Sequence, residues 1–132
     1  MLRGLIVDYG GVLTDTGNGD PAGGEQPLVA ALRTARSRGV RTALLSNADT
    51  LGAASGLAGL FDAVVLSGQV GFGKPDPRIF LLAARQLGLD PADCVFVDDL
   101  SVNVRAAAGV GMVGVHHRSV EETLNELDVL LE

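Results

Sequence analysis

Five short apolar runs punctuate the chain, at Leu2 to Asp8, Arg41 to Ser46, Ala63 to Ser67, Cys94 to Asp98 and Met112 to His116, each bounded by turn residues. Runs of this length predict strands buried on both faces, as in a parallel sheet covered by helices. Helical spacing fills most of the gaps. Pro27 fits the first position of a helix in which Leu28 and Leu32 share a face, and Gly39 is placed to end it. Asp76-Pro77 opens another, with Ile79, Ala83 and Leu87 four apart and Gly88 as terminator. Ser101 is expected to cap a third, which runs through Ala106 to Ala108. Ser119-Val120-Glu121-Glu122 forms a capping box for the last helix, whose stripe is Val120, Leu124, Leu127 and Leu131. Thr50 to Leu60 is weaker, because Gly52, Gly56 and Gly59 each cost helix stability.

Strands alternating with helices predict an α/β fold, and 132 residues suit one domain with a five-stranded core. A net charge of -6 argues against a nucleic-acid backbone or an anionic membrane as the main partner. The only cysteine, Cys94, lies inside an apolar run and is expected to be a small buried hydrophobe in a reducing compartment. The opening MLRGLIVD is too short an apolar stretch for a signal-peptide core or a membrane span, so the expected location is the cytoplasm. The positive mean hydropathy comes from Ala, Leu, Val and Gly spread through the chain, with 4% aromatic residues and no Trp, which suits a buried sheet.

Chemistry gathers where the strands end. Asp8 closes the first apolar run and Asp98-Asp99 closes the fourth. In open α/β sheets ligands bind at the carboxyl ends of the strands, so these groups would share one rim. Three carboxylates within a few ångströms repel one another by several kcal/mol, which protons or a hard cation such as Mg2+ must offset. The plainer alternative is that Asp8 caps a turn and Asp98-Asp99 the next helix. Ser46-Asn47 ends the second strand, where a hydroxyl and backbone N-H groups can grip an anion. Lys74, in GFGKPDP, sits in a loop stiffened by Pro75 and Pro77, although a surface lysine beside prolines is equally ordinary. The stretch Asp15 to Gln26, DTGNGDPAGGEQ, reads as a flexible loop with a role at the site or as a disordered connector.

With these residues in place the chain resembles the haloacid dehalogenase superfamily, most of whose members are Mg2+-dependent phosphatases. LIVDYGGVLTD is similar to the first family motif, LLSNAD to the second, GFGKPDPRIF to the third and VFVDDLSVNVRAAAGVGM to the fourth, in the same order. The resemblance implies a three-layer Rossmann-like fold with a five-stranded parallel sheet in order 5-4-1-2-3 and helices on both faces, over residues 1–132. It makes Asp8 the nucleophile that becomes an aspartyl phosphate. It assigns Mg2+ to Asp8, the backbone carbonyl of Gly10 and Asp99, with Asp98 close by or linked through water. Ser46, the Asn47 backbone N-H and Lys74 would hold the phosphoryl oxygens, and Asn103 would orient waters or Lys74. Three carboxylates and a phosphate dianion are offset only in part by Mg2+, so Lys74 is needed in the occupied site.

Two departures from the family pattern shape the expected function. Family phosphatases usually carry an acid/base Asp two residues after the nucleophile, where this chain has Gly10. Losing a positioned acid or base costs about 100- to 10,000-fold in rate. Asp15 or a group on the substrate is a candidate replacement. The interval between Asp8 and Ser46 also leaves no room for a cap domain, so the site should be open to a macromolecular substrate or covered by a second copy in a homo-oligomer. The missing cap counts against dehalogenation of 2-haloacids. His116-His117 is a weak candidate for a metal pair, since adjacent strand residues point to opposite faces. The leading expectation is a capless, Mg2+-dependent phosphatase-like hydrolase acting on an unidentified phosphorylated substrate. The alternatives are a non-catalytic phosphate- and metal-binding or regulatory domain, and a receiver domain, whose acidic pair follows the first strand and not the fourth.

Overall fold

The computed structural model describes residues 2–17 and 24–132. Strand β1 (Gly4–Val7) leads into a knuckle at Tyr9–Leu13, followed by helix α1 (Pro27–Ser37) and strand β2 (Arg41–Ser46). After 3₁₀ turns over Gly52–Leu60 come β3 (Ala63–Leu66), the short α2 (Ser67–Val70) and α3 (Pro77–Leu87). The chain closes with β4 (Cys94–Asp98), α4 (Ser101–Gly109), β5 (Val113–His116) and α5 (Val120–Leu130). All four strand pairings are parallel and the sheet order is β3-β2-β1-β4-β5, the expected order read from the other edge. No cap domain is built among the described residues, and none of their helices is long and apolar enough to cross a membrane. Residues 18–23, the middle of the expected Asp15–Gln26 loop, lie outside the described residues.

Successive strand residues point to opposite faces, and each face has its own core. Leu5, Val7, Val95 and Val97 pack with Leu28, Leu32 and Leu127, so α1 and α5 cover one side. Ile6, Ala43, Leu45 and Phe96 pack with Ile79, Phe80, Ala83 and Ala107, which places α3 and α4 on the other. This double covering accounts for strands that read as apolar without alternation.

Helix ends follow local chemistry. Asp76 accepts from the Arg78 N-H to cap α3, and Gly88 ends it in the left-handed region at φ 70°. Ser119 accepts from the Glu122 N-H at the start of α5. One expected cap is corrected: Leu100, not Ser101, is the N-cap of α4, and its N-H donates to the Asp98 carboxylate at 3.0 Å. Ser101 is the first helical residue, and the buried Asp98 ties down the N-H of the cap residue itself. Over Gly52–Leu60 the glycines leave only 3₁₀ turns instead of an α-helix.

Phe96 is fully buried, meets Phe80 edge-to-face at 5.0 Å, and lies under the Lys74 ammonium, 5.6 Å from its ring centroid. Phe96→Ala is expected to cost about 3–5 kcal/mol in urea unfolding with an unchanged denaturant slope. A loss below about 1 kcal/mol would show that this core collapses without it.

Candidate active site

The parallel register brings the sequence-distant carboxylates together. Val7 pairs with Val97, and the next residues, Asp8 and Asp98, leave adjacent strands at the same level. The Asp8 N-H still donates to the Val97 carbonyl at 3.1 Å, so the sheet holds the nucleophile candidate by its backbone. Carboxylate oxygens of Asp8, Asp98 and Asp99 all lie within 4.8 Å of one another.

A buried cation sits among them. The Lys74 Nζ is 3.0 Å from Asp8 Oδ1 and 2.9 Å from Asp98 Oδ2, with its side chain only 3% exposed. An ammonium has three donors, and these contacts leave one for a further acceptor. Asp98 is fully buried and accepts three hydrogen bonds: Oδ1 accepts from Leu100 N-H, while Oδ2 accepts from Lys74 and from Asn103 Nδ2 at 3.0 Å. Asn103 therefore bonds Asp98, rather than Lys74 itself. Asp98 anchors the lysine, whereas Asp8 and Asp99 are freer to meet a ligand.

The charge states follow from these environments. Burial, opposed by Lys74 and reinforced by the Asp98 charge, raises the Asp8 carboxyl above its ordinary value. Burial would also raise Asp98, but Lys74, the Leu100 N-H and Asn103 outweigh it and hold that carboxyl low. Asp99 is raised by burial and by its neighbour Asp98. Two raised carboxyls beside one lowered carboxyl mark a cluster with more negative charge than Lys74 alone relieves, which suits a hard divalent cation.

The second and third motifs are joined by a reciprocal amide contact. Asn47 Oδ1 accepts from the Lys74 N-H at 2.8 Å, and Asn47 Nδ2 donates to the Lys74 carbonyl at 3.0 Å. A Cβ on Gly73 would lie 2.8 Å from Asn47 Oδ1, so the loop must be glycine where the amide packs on it. This side-chain role was missed in the sequence, which pointed only to the Asn47 backbone; asparagine's paired donor and acceptor were the available signal. Ser46 ends β2 beside β1, two register positions past the residue opposite Val7.

The knuckle after Asp8 is built on two glycines with different needs. Gly11 has φ 80°, and a Cβ there would collide with the Asp99 carboxylate, so backbone and carboxylate approach closely only because the side chain is absent. Gly10 has φ -66° and ψ 129°, ordinary values for any L residue, and a Cβ there would meet nothing within 4 Å. Asp15 accepts from the Gly17 N-H and contacts His117, which lowers its carboxyl and makes it a poor proton donor. The nitrogens of His116 and His117 are all engaged by protein groups, which argues against a metal pair. Cys94 is buried, with its thiol pushed up to about 11 by burial and by Asp93 and Asp90, and is unreactive as expected.

Acidic groups at the ends of β1 and β4, a lysine between them and the turn after β2 lie together on the carboxyl-end rim of a Rossmann-like sheet, where ligands bind in such folds. Residues 26–111 match the family described as haloacid dehalogenase-like hydrolase, and the chain belongs to that family. It is 36% identical over 108 residues to acyl-CoA dehydrogenase family member 10 of Mus musculus, covering 79% of this chain and 10% of that protein. It is 43% identical over 96 residues to a phosphoserine phosphatase of Thermus thermophilus, covering 65% and 38%. The chain spans 10% to 41% of the length of these two and six further curated relatives. A crystal structure from Corynebacterium glutamicum superposes with TM-score 0.84 at 39% identity, over 99% of this chain and 96% of that one. The fold is also shared, at TM-score 0.72 and 15% identity, with a Bacteroides thetaiotaomicron enzyme crystallised with magnesium and inorganic phosphate, over 90% and 96%.

Lys74→Met leaves Asp8 and Asp98 without a counter-charge and is expected to cost about 3–5 kcal/mol at neutral pH. The stabilising contribution of Asp98 is complete above its ordinary value of 3.8 and fades as pH falls through its lower native value. In the variant both carboxyls take up protons at higher pH than in the wild type. The stability gap should therefore narrow from pH 7.5 to pH 4 in urea titrations, and a constant or widening gap contradicts the pairing.

Proposed function

We propose that the chain is a Mg2+-dependent phosphatase-like hydrolase working through an aspartyl phosphate at Asp8, with turnover slowed by Gly10. The observation that carries this reading is the buried Lys74 ammonium held between Asp8 and Asp98 with one donor to spare. Relatives named phosphatases, including those for phosphoserine and for fructose 1-phosphate, support the same chemistry.

The donor set fits a hard cation: carboxylate oxygens of Asp8 and Asp99 and the Gly10 carbonyl would hold it, with Asp98 close by or linked through water. Bound Mg2+ would supply charge neutralisation and electrophilic activation of the phosphoryl group. Asp8 supplies the attacking oxygen; its new bond to phosphorus forms as the bond to the leaving oxygen breaks, and that oxygen takes a proton from water or from the substrate. Water then attacks phosphorus, the bond to Asp8 breaks, and inorganic phosphate departs. Lys74, Ser46 and the Asn47 N-H hold the phosphoryl oxygens as charge develops. Asn103 supports Asp98, which Lys74 and the Leu100 N-H chiefly hold ionised, and so helps keep Lys74 in place. The same reading takes residues 1–132 as one domain, working in the cytoplasm on a phosphorylated substrate, with a second copy able to cover the open site.

A second reading rests on one observation, the empty space beside Gly10 where family phosphatases place a carboxylate. Under it the domain binds metal and phosphate and regulates rather than turns over.

Hydrolysis of p-nitrophenyl phosphate is expected to require Mg2+ and to vanish in Asp8→Asn; equal activity in that variant, with contamination excluded, sinks the enzymatic reading. Gly10→Asp, which backbone and space already admit, should raise kcat by about 100- to 10,000-fold. Phosphate and Mg2+ binding with no turnover in either Gly10 form would favour the regulatory reading.

A further inference from the structure

The dipeptide His116-His117 reaches two different segments of the site. Its first member extends to the turn after β4: His116 Nε2 is 2.9 Å from the Asp99 carbonyl, which can only accept, so that nitrogen carries the proton. Arg118 Nε, which can only donate, lies 3.3 Å from His116 Nδ1, consistent with the same tautomer. Its second member holds β4 by the backbone, the His117 N-H donating to the Asp98 carbonyl at 2.8 Å.

The His117 ring extends across to the segment after β1. Its Nε2 is 2.7 Å from Asp15 Oδ2, and its Nδ1 is 2.7 Å from the hydroxyl of Thr123 on α5. The His117 side chain is 2% exposed and Thr123 is fully buried, so this chain of bonds lies inside the protein, while Asp15 is 30% exposed. Asp15 closes the turn that begins at Asp8 and contains the Tyr9–Leu13 knuckle. Within it Thr14 N-H donates to the Tyr9 carbonyl, Asp15 N-H to the Val12 carbonyl, and Gly11 N-H to Thr14 Oγ1 at 2.9 Å. The sheet fixes the knuckle at Asp8, and His117 fixes it at Asp15.

We infer that His117, bolted to Asp15 and Thr123, is a positioning residue that sets the Tyr9–Thr14 knuckle against the Asp98-Asp99 turn, so that the backbone beside Asp8 and the Asp99 carboxylate face one cation. His116 completes the clamp from the Asp99 side. The inference deepens the metal-site reading above. Outer partners of metal ligands orient them, and their loss commonly costs 10- to 100-fold in affinity.

Asp15 is the accessible end of the bolt and the place to break it. Amide hydrogen exchange of Tyr9 to Thr14 in the metal-free protein is expected to accelerate about tenfold or more in Asp15→Ala. Asp15→Asn can keep Oδ1 for the Gly17 N-H and donate Nδ2-H to His117 Nε2 in the tautomer whose Nδ1-H donates to Thr123, and should restore most of the protection. Mg2+ binding by calorimetry, with the metal alone, should weaken about 10- to 100-fold in the Ala variant and stay near wild type in the Asn variant. Unchanged exchange in Asp15→Ala overturns the bolt, as does an unchanged Mg2+ affinity. A wild-type chain that binds no Mg2+ would sink the metal reading, while the exchange comparison would still decide whether the knuckle is held from Asp15.

Discussion

One buried ammonium holds this site together. Without Lys74, the ends of β1 and β4 would press carboxylates together in a place water hardly reaches, and the sheet could not keep both charged. With it, Asp98 is charged and held by three hydrogen bonds, and Asp8 is left as the more basic partner. The lysine is itself fixed from two directions, by the Asn47 amide on its backbone and by Phe96 beneath its ammonium. Packing, backbone pairing and charge thus converge on one side chain.

The sheet explains why such an arrangement is available at low cost. Parallel strands end on one rim, and β1 and β4 are neighbours, so residues far apart in sequence leave the sheet at the same height. Two separate cores, one on each face, hold these strands, with Val12 and Leu13 of the knuckle buried in one of them. Loop chemistry is then free to vary over a rigid base, which is where activity is tuned in folds of this kind.

Much of the fold was legible in the chain because buried parallel strands leave continuous apolar runs and because helix ends use few residue types. Arg41–Ser46 and Cys94–Asp98 have the boundaries that their patterns predict, and Pro27, Asp76 and Ser119 mark helix starts. The miss at Ser101 was one of phase: the helix already begins at Ser101, and Asp98, two residues before the Leu100 N-cap, accepts the Leu100 N-H. At the site, the meeting of Asp8, Asp98, Asp99 and Lys74 could be read from strand ends and motif order. The side-chain pairing of Asn47 with Lys74 and the reach of His117 to Asp15 could not, since each depends on side-chain directions that no spacing rule supplies.

The two glycines of the knuckle carry different kinds of constraint. Gly11 is enforced by geometry, because any side chain would strike Asp99. Gly10 is enforced by nothing in the packing, since its backbone is ordinary and the space beside it is open. Position 10 is thus a place beside Asp8 where a side chain can begin without disturbing the backbone or striking a neighbour, so the chemistry beside the reacting carboxylate is separable from the folding of the knuckle that carries it.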